Sequence, residues 1–307
     1  MRLKQKLSIF LATAVIFSAQ APISINAKED EDITASLFKK DEVTAESLIE
    51  NFKKKAGEAK SIACKESYDY VVSMTVFDQK QETSLNYEAD IQSAFGTTYM
   101  TGVATFNIDH KNQTLYANAY ASSNDDGSET VYINYEDDTN WEETWVKAKR
   151  DNHCISKIYN NIITGEDFEL TEEPVEIGEK KYYEVKGKAT ADEIMKRNGV
   201  NGSEAMQTLP IKEEMLKDIT ANAYYYFNTE TLDLEIARLN ATESAQKFLE
   251  KIVLEEALEQ SSGFTEEQIK EMVEVTVSGI ISEYRDIEIG TVEEIEIPEN
   301  VLAAQEV

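Results

Sequence analysis

Cysteine and histidine are scarce in this chain, with two of each among its 307 residues. Cys64 and Cys154 do not form a CxxC motif or a zinc-binding spacing. His110 and His153 lie outside the HExxH and GxSxG patterns that place a side chain in a reactive geometry. No phosphate-binding or dinucleotide-binding glycine pattern is present. These shortages predict a protein without catalytic residues, without a metal site and without a cofactor.

The two cysteines leave a structural question open. In an oxidising environment, a bridge between Cys64 and Cys154 would close a long loop and contribute about 4 kcal/mol of stability. Two cysteines in a large domain can equally be buried thiols. The sequence is therefore compatible both with a Cys64–Cys154 disulfide and with two separate thiols.

Positive charge is in short supply as well. The chain has 30 Lys and Arg against 59 Asp and Glu, and its formal net charge is −29. Such a surface repels nucleic acid and anionic lipid headgroups, and it favours solubility. We therefore expect no nucleic-acid partner. The acidic residues on their own do not indicate a site.

Long apolar runs are also missing. The first run, residues 7–17, follows the positive charges of Arg2, Lys4 and Lys6, and a small residue, Ala27, stands where a signal peptidase would cut. Because a membrane-spanning helix needs about 20 apolar residues, this run is too short to be a permanent anchor. We predict a signal peptide over residues 1–27 and no integral membrane span in the mature chain. The protein is expected to be secreted or associated with the cell surface.

What the chain does have is two-residue alternation, and it is clearest over residues 219–243. Ala223, Tyr225 and Phe227 alternate with more polar neighbours, and Leu234 and Ile236 continue the pattern after a polar tip. This arrangement predicts a β-hairpin with one apolar face and one polar, solvent-exposed face.

Similar patterns predict the remaining elements. Alternation indicates strands at 68–76, 85–95, 97–108, 114–121 and 130–135, a hairpin at 175–187, and further alternating segments at 273–277 and 287–297. Short links between the first strands favour an antiparallel meander. Helical spacing predicts amphipathic helices at 41–61 and 244–259. We expect a flexible leader over 28–40, a single domain over 41–301 and a frayed tail over 302–307.

Three motifs carry a resemblance to a known group of proteins. They are GEKKYY at 178–183, YYFNTETL at 225–232, and SEYRD at 282–286 followed by IEIPE at 295–299. Together with the order of the elements, they resemble the LolA-like and LppX-like lipoprotein superfamily, particularly its uncharacterised Gram-positive members. The resemblance covers roughly residues 43–301.

The resemblance implies an α+β fold, a strongly curved antiparallel β-sheet (half-barrel) with a few helices covering its concave side. It also implies a secreted, non-enzymatic carrier that takes a lipid, lipopeptide or other amphipathic ligand in that concavity. The predicted ligand-binding residues are Val72, Met74, Tyr225, Phe227 and Leu234. The alternative is an interaction or regulatory module that meets a cell-surface protein and has no small-molecule ligand.

Overall fold

The computed structural model describes residues 43–108, 111–137, 145–150, 158, 162–190, 193, 219–260 and 263–306. The predicted signal peptide and leader lie outside the described residues, as do His110, His153 and Cys154. Cys64 is buried, and its bridge to Cys154 stays a prediction. The extent of the domain, 41–301, also stays a prediction.

Helix α1, Ala45–Ala59, begins at a reciprocal cap. The Thr44 hydroxyl accepts a hydrogen bond from the Ser47 amide, and the Ser47 hydroxyl accepts one from the Thr44 amide. The helix ends at Lys60, which adopts a left-handed conformation with φ 50°. Its buried face carries Leu48 and Phe52, as the helical spacing predicts.

Among the described residues, two further helices lie just before the last long strand, and another lies near the C-terminus. They are α2, Thr242–Gln260, α3, Glu266–Glu271, and α4, Glu299–Leu302. A cap between Thr265 and Gln268 starts α3. The predicted helix at 244–259 therefore corresponds to α2.

Among the described residues, thirteen strands form one sheet. They are β1 Ser61–Val76, β2 Gln79–Ala94, β3 Thr97–Ile108, β4 Lys111–Ser123, β5 Glu129–Asp137, β6 Val146–Arg150, β7 Glu166–Leu170, β8 Val175–Ile177, β9 Lys180–Thr190, β10 Thr220–Asn228, β11 Leu234–Asn240, β12 Val273–Ile289 and β13 Gln305–Glu306. The spatial order is β13-β6-β5-β4-β3-β2-β1-β12-β11-β10-β9-β7, and β8 pairs with β9. All neighbours are antiparallel except β13 and β6. The curved sheet with few helices, and the meander from β1 to β6, are confirmed.

The sheet is built from two meanders that meet at its centre. One runs from β1 to β6, and the other contains β9, β10 and β11. Strand β12 joins them, because it pairs with β1 on one side and with β11 on the other. The long pairing of β1 with β12 runs from Ile62–Ile289 to Val76–Val273.

The apolar core lies on the face that α1 and α2 cover, which we call the concave face. Leu48 and Phe52 of α1 and Leu249 and Val253 of α2 belong to the same cluster as the inward residues of β1, β2, β10 and β11. The opposite side of the sheet is the convex face. Burial of this large apolar surface is the main stabilising contribution to the fold.

Helix α2 also covers an edge of the sheet. Beyond the end of β11, part of β12 has no strand beside it, and the side chain of Gln246 takes that place. Its Nε2 donates to the Val275 carbonyl oxygen at 2.6 Å, and its Oε1 accepts from the Val277 amide at 2.6 Å. The Thr242 hydroxyl accepts from the Ile280 amide in the same way. These contacts satisfy backbone groups that would otherwise lie at an open edge.

The C-terminal part differs from the sequence prediction in two respects. Residues 273–289 form one continuous strand, and 291–298 have no regular structure, where alternation had predicted separate strands. Within the predicted frayed tail over 302–307, Ala304 is buried and β13 pairs with β6. Val301 and Ala304 pack against Tyr132, and this apolar contact holds the segment on the convex face.

None of the helices among the described residues is both long and apolar enough to span a bilayer.

Candidate functional site

The candidate site is a row of cross-strand partners that crosses the centre of the concave face. In sheet order, the row comprises Leu170, Val185, Tyr225, Ala237, Tyr284, Glu66, Ala89, Gly102 and Ala117. We call it the central row. Glu66 is its one acidic residue, and it lies between Tyr284 and Ala89.

The two sides of the central row differ in side-chain size. On one side, Tyr225 and Tyr284 are large and buried. On the other side come Ala89, Gly102 and Ala117. A Cβ atom on Gly102 would lie 2.8 Å from the Ala89 Cβ and 2.8 Å from the Glu88 carbonyl oxygen. Strands β2 and β3 therefore approach each other closely at Gly102. The short side chains there project little from the sheet on its concave face.

Burial divides the concave face into two halves. In the half formed by β10 and β11, Tyr225 and Phe227 are 0 % exposed and Leu234 is 1 % exposed. In the half formed by β3 to β6, the apolar residues on the same face are mostly half-buried: Met100, Phe106, Leu115, Ala117, Ile133, Val146 and Ala148. We call this second region the open half. An apolar surface that stays partly exposed can receive a ligand.

Tyrosine hydroxyls surround the centre of the row. Burial raises the pKa of Tyr68 and of Tyr70 well above the ordinary value of a tyrosine. Burial also raises the pKa of Tyr87, and the negative charge of Glu66 adds to that effect. These hydroxyls therefore stay protonated and neutral at physiological pH. The Tyr87 hydroxyl donates to the Met100 sulfur at 3.1 Å, at the border of the open half.

The concave face offers apolar side chains, neutral hydroxyls and the carboxylates of Glu66 and of the buried Glu129 on β5. In the part of the chain that the structure describes, no group of three or more His, Cys, Asp or Glu side chains converges as metal ligands would.

The five predicted ligand-binding residues all lie buried in the cluster on the concave face, but not at one place. Phe227 and Leu234 are cross-strand partners, and Tyr225 lies beside them. Glu66 is the residue of β1 that belongs to the central row. Val72 is six positions away from Glu66 along the strand, and Met74 is eight positions away. At about 3.3 Å per residue, Val72 is therefore about 20 Å from the level of Tyr225. That these residues contact a ligand stays a prediction.

Sequence reasoning missed Glu66 and the small residues of the open half. The strand pattern predicted from 68 onward starts after Glu66, although the alternation of Ile62, Cys64 and Tyr68 already places Glu66 on the apolar face. A carboxylate at an apolar position of the alternation was the sequence feature that could have identified Glu66 as a candidate site residue. The small residues could not be predicted as part of a site from the sequence. They lie side by side only because of the pairing register of β2, β3 and β4.

No family model matches the chain, and no curated protein matches it. Among solved structures, the lipoprotein LppX of Mycobacterium tuberculosis is similar at a TM-score of 0.31 and 9 % identity, over 82 % of this chain and 99 % of that one.

Two other solved structures are similar at lower scores. A DUF1329 family protein from Desulfovibrio piger has a TM-score of 0.26 and 7 % identity, over 81 % of this chain and 95 % of that one. A domain described as an outer membrane lipoprotein-sorting protein, from Vibrio parahaemolyticus, has a TM-score of 0.24 and 7 % identity, over 81 % and 93 %. Likenesses of this size say nothing about ligands, and the fold rests on the strand pairing described above.

Proposed function

We propose that this protein is a non-enzymatic carrier that works outside the cytoplasm and binds an amphipathic ligand of the lipid or lipopeptide class on the concave face. The supporting observation is the open half, where one sheet face presents apolar side chains that remain half-buried. The ligand's apolar part lies along β3 and β4, over Gly102 and Ala117. Its polar part lies near Glu66 and the neutral hydroxyl of Tyr87.

The packing of the concave face supports this division of roles. The half around Tyr225 and Phe227 is filled by its own side chains and by α1. The open half has small residues at its centre, Ala89, Gly102 and Ala117, whose short side chains occupy little of the surface on which an acyl chain would lie. The predicted contact residues Val72, Met74, Tyr225, Phe227 and Leu234 belong to the packed cluster beside the open half, and in this proposal they support the site from there.

The proposal is tested first with the exported protein from its own host. Native mass spectrometry is expected to show a co-purifying amphiphile that denaturing conditions release. The delipidated protein is then titrated with lysophosphatidylcholine, a single-chain probe. Ala117→Trp places a large side chain in the open half, so we expect its affinity for this probe to fall by about tenfold or more, equivalent to about 1.4 kcal/mol.

The matched control is Thr105→Trp. Thr105 is exposed on the convex face of β3, so the same side chain is added to the same sheet without touching the proposed site. Its affinity for the probe should equal that of the unaltered protein. A chain that carries no amphiphile and does not bind the probe, or two variants that weaken binding equally, would overturn the carrier proposal.

A further inference from the structure

Two buried polar atoms on the convex face have no hydrogen-bond partner among the described residues: Asn134 Oδ1 on β5 and Trp145 Nε1 just before β6. Asn134 is 2 % exposed. Leaving a buried acceptor or donor unsatisfied is energetically costly, so each such atom calls for an explanation. One atom is an acceptor and the other is a donor.

The strand register places these two residues next to each other. The pairing of β5 with β6 ends at Ile133–Val146, and Asn134 and Trp145 are the next residues beyond that pair, one on each segment. The Trp145 ring lies on the convex face, because its centroid is 5.7 Å from that of Tyr120. On its other side, Asn134 pairs with Asn118 on β4. The acceptor and the donor therefore belong to one site.

Aromatic rings form a wall beside this pair. The ring centroids of Tyr99 and Tyr120 are 4.8 Å apart, and Tyr120 continues the contact to Trp145. The amides of Asn118 and Asn134 form the floor. We call these five residues the convex aromatic cluster. A further aromatic side chain, Tyr116, is 54 % exposed on the same face.

A hydroxyl group is the chemical complement of the unpaired atoms. It accepts a hydrogen bond from Trp145 Nε1 and donates one to Asn134 Oδ1, whereas a carboxylate or phosphate has no proton to donate to an amide oxygen. Aromatic rings pack against the apolar C–H face of a sugar ring, and amides bond to its hydroxyls. We propose that the convex aromatic cluster is a saccharide-binding site.

The charge of the protein and the contacts at the site agree with a neutral ligand. A net charge of −29 disfavours phosphorylated or sulfated ligands. The contact that closes the floor is weak, since the Tyr99 hydroxyl reaches Asn118 Oδ1 at 3.4 Å. Rotation of Tyr99, which is half-buried, gives a ligand hydroxyl access to the floor. The site does not depend on the carrier proposal, because it lies on the opposite face of the sheet.

The test is calorimetric titration of the full mature chain with maltotriose, cellotriose and chitotriose. We expect at least one of them to bind with a dissociation constant in the range of about 10 µM to 1 mM. Asn134→Leu keeps the side-chain size and removes the acceptor, so it should weaken binding by about tenfold or more. The matched control is Asn222→Leu, at an exposed position on the convex face of β10, which should leave binding unchanged.

A second variant covers the case in which Asn134→Leu does not fold. Trp145→Phe keeps an aromatic ring and removes the donor, and it should weaken binding of the same saccharide. The proposal is overturned if none of the three saccharides binds the unaltered protein at about 10 mM, which would leave an ordered water as the partner of both atoms. It is also overturned if Asn134→Leu and Asn222→Leu bind the saccharide equally well.

Discussion

Glu66 and Gly102 define the centre of the concave face in opposite ways. Glu66 places a carboxylate in an apolar row, and Gly102 has no side chain at a position where β2 and β3 approach closely. Neither role can be predicted from alternation, because each depends on which residues of the neighbouring strands face it. The inward direction of Tyr225 and Phe227 was predictable, since it follows from the two-residue period alone.

The close approach at Gly102 predicts a stability change. Gly102→Ala would place a Cβ 2.8 Å from both the Ala89 Cβ and a backbone oxygen, and neither can move without shifting a strand. We expect the free energy of unfolding to fall by about 1–3 kcal/mol, measured by urea denaturation.

The matched control for Gly102→Ala is Gly57→Ala. Gly57 is exposed in α1 and has no atom within 4 Å of the position of an added Cβ. Alanine favours the helix there, so the same substitution should stabilise the protein by about 0.5–1 kcal/mol. If both variants were equally stable, the close packing at Gly102 would be refuted.

Tyr226 predicts a dependence of stability on alkaline pH. Burial, together with the charge of Glu184, raises its pKa from 10.0 to about 12, although Arg238 opposes the shift. The unfolded chain loses this proton near pH 10 and the folded protein near pH 12. The contribution of Tyr226 is therefore complete below pH 10 and is lost as the pH rises towards 12.

The measurement compares urea denaturation of the unaltered protein and Tyr226→Phe at one pH below 10 and at one between 10 and 12. The variant lacks the hydroxyl, so its stability should fall less between the two conditions. Because the change in the free energy of unfolding between the two pH values is taken within each protein, any pH-independent effect of the substitution on stability cancels. An equal fall in both proteins would show that Tyr226 titrates normally in the folded state.

At the scale of elements, the sequence could predict structures that depend on local patterns, but it could not predict pairing between distant segments. The hairpin of β10 and β11 and helix α1 follow from alternation, helical spacing and the cap at Thr44. The pairing of β1 with β12 could not be predicted in this way, because it joins segments about two hundred residues apart and leaves no trace in the local pattern.

The edge contact of α2 predicts a second change in stability. Gln246→Ala removes both hydrogen bonds to β12 and leaves the Val275 carbonyl and the Val277 amide without these partners. We expect a loss of about 1–3 kcal/mol in urea denaturation, and faster hydrogen exchange of the Val277 amide.

The control for this change lies one residue further along α2. Lys247 pairs with Glu243, and both side chains are largely exposed, at 72 % and 75 %. Lys247→Ala should therefore alter the stability by less than about 0.5 kcal/mol. Unchanged exchange at Val277 in Gln246→Ala would mean that the helix does not seal the strand edge.

At the scale of the whole molecule, the sheet has two faces with different chemistry. The concave face is apolar, with Glu66 and neutral tyrosines at its centre. The convex face carries aromatic rings with amides around Trp145, and the C-terminal segment packs beside them. One sheet can thus serve two ligands of different polarity, because side chains alternate between its faces.

The pairing of β1 with β12 also sets the order in which this molecule can form. Each meander contains neighbouring strands and can collapse soon after it is synthesised, but the halves cannot join before residue 273 has emerged. Closing such a long loop is slow, because its entropy is lost before the contacts compensate for it. The nascent chain therefore lacks its central pairing until the strand that begins at residue 273 has been synthesised.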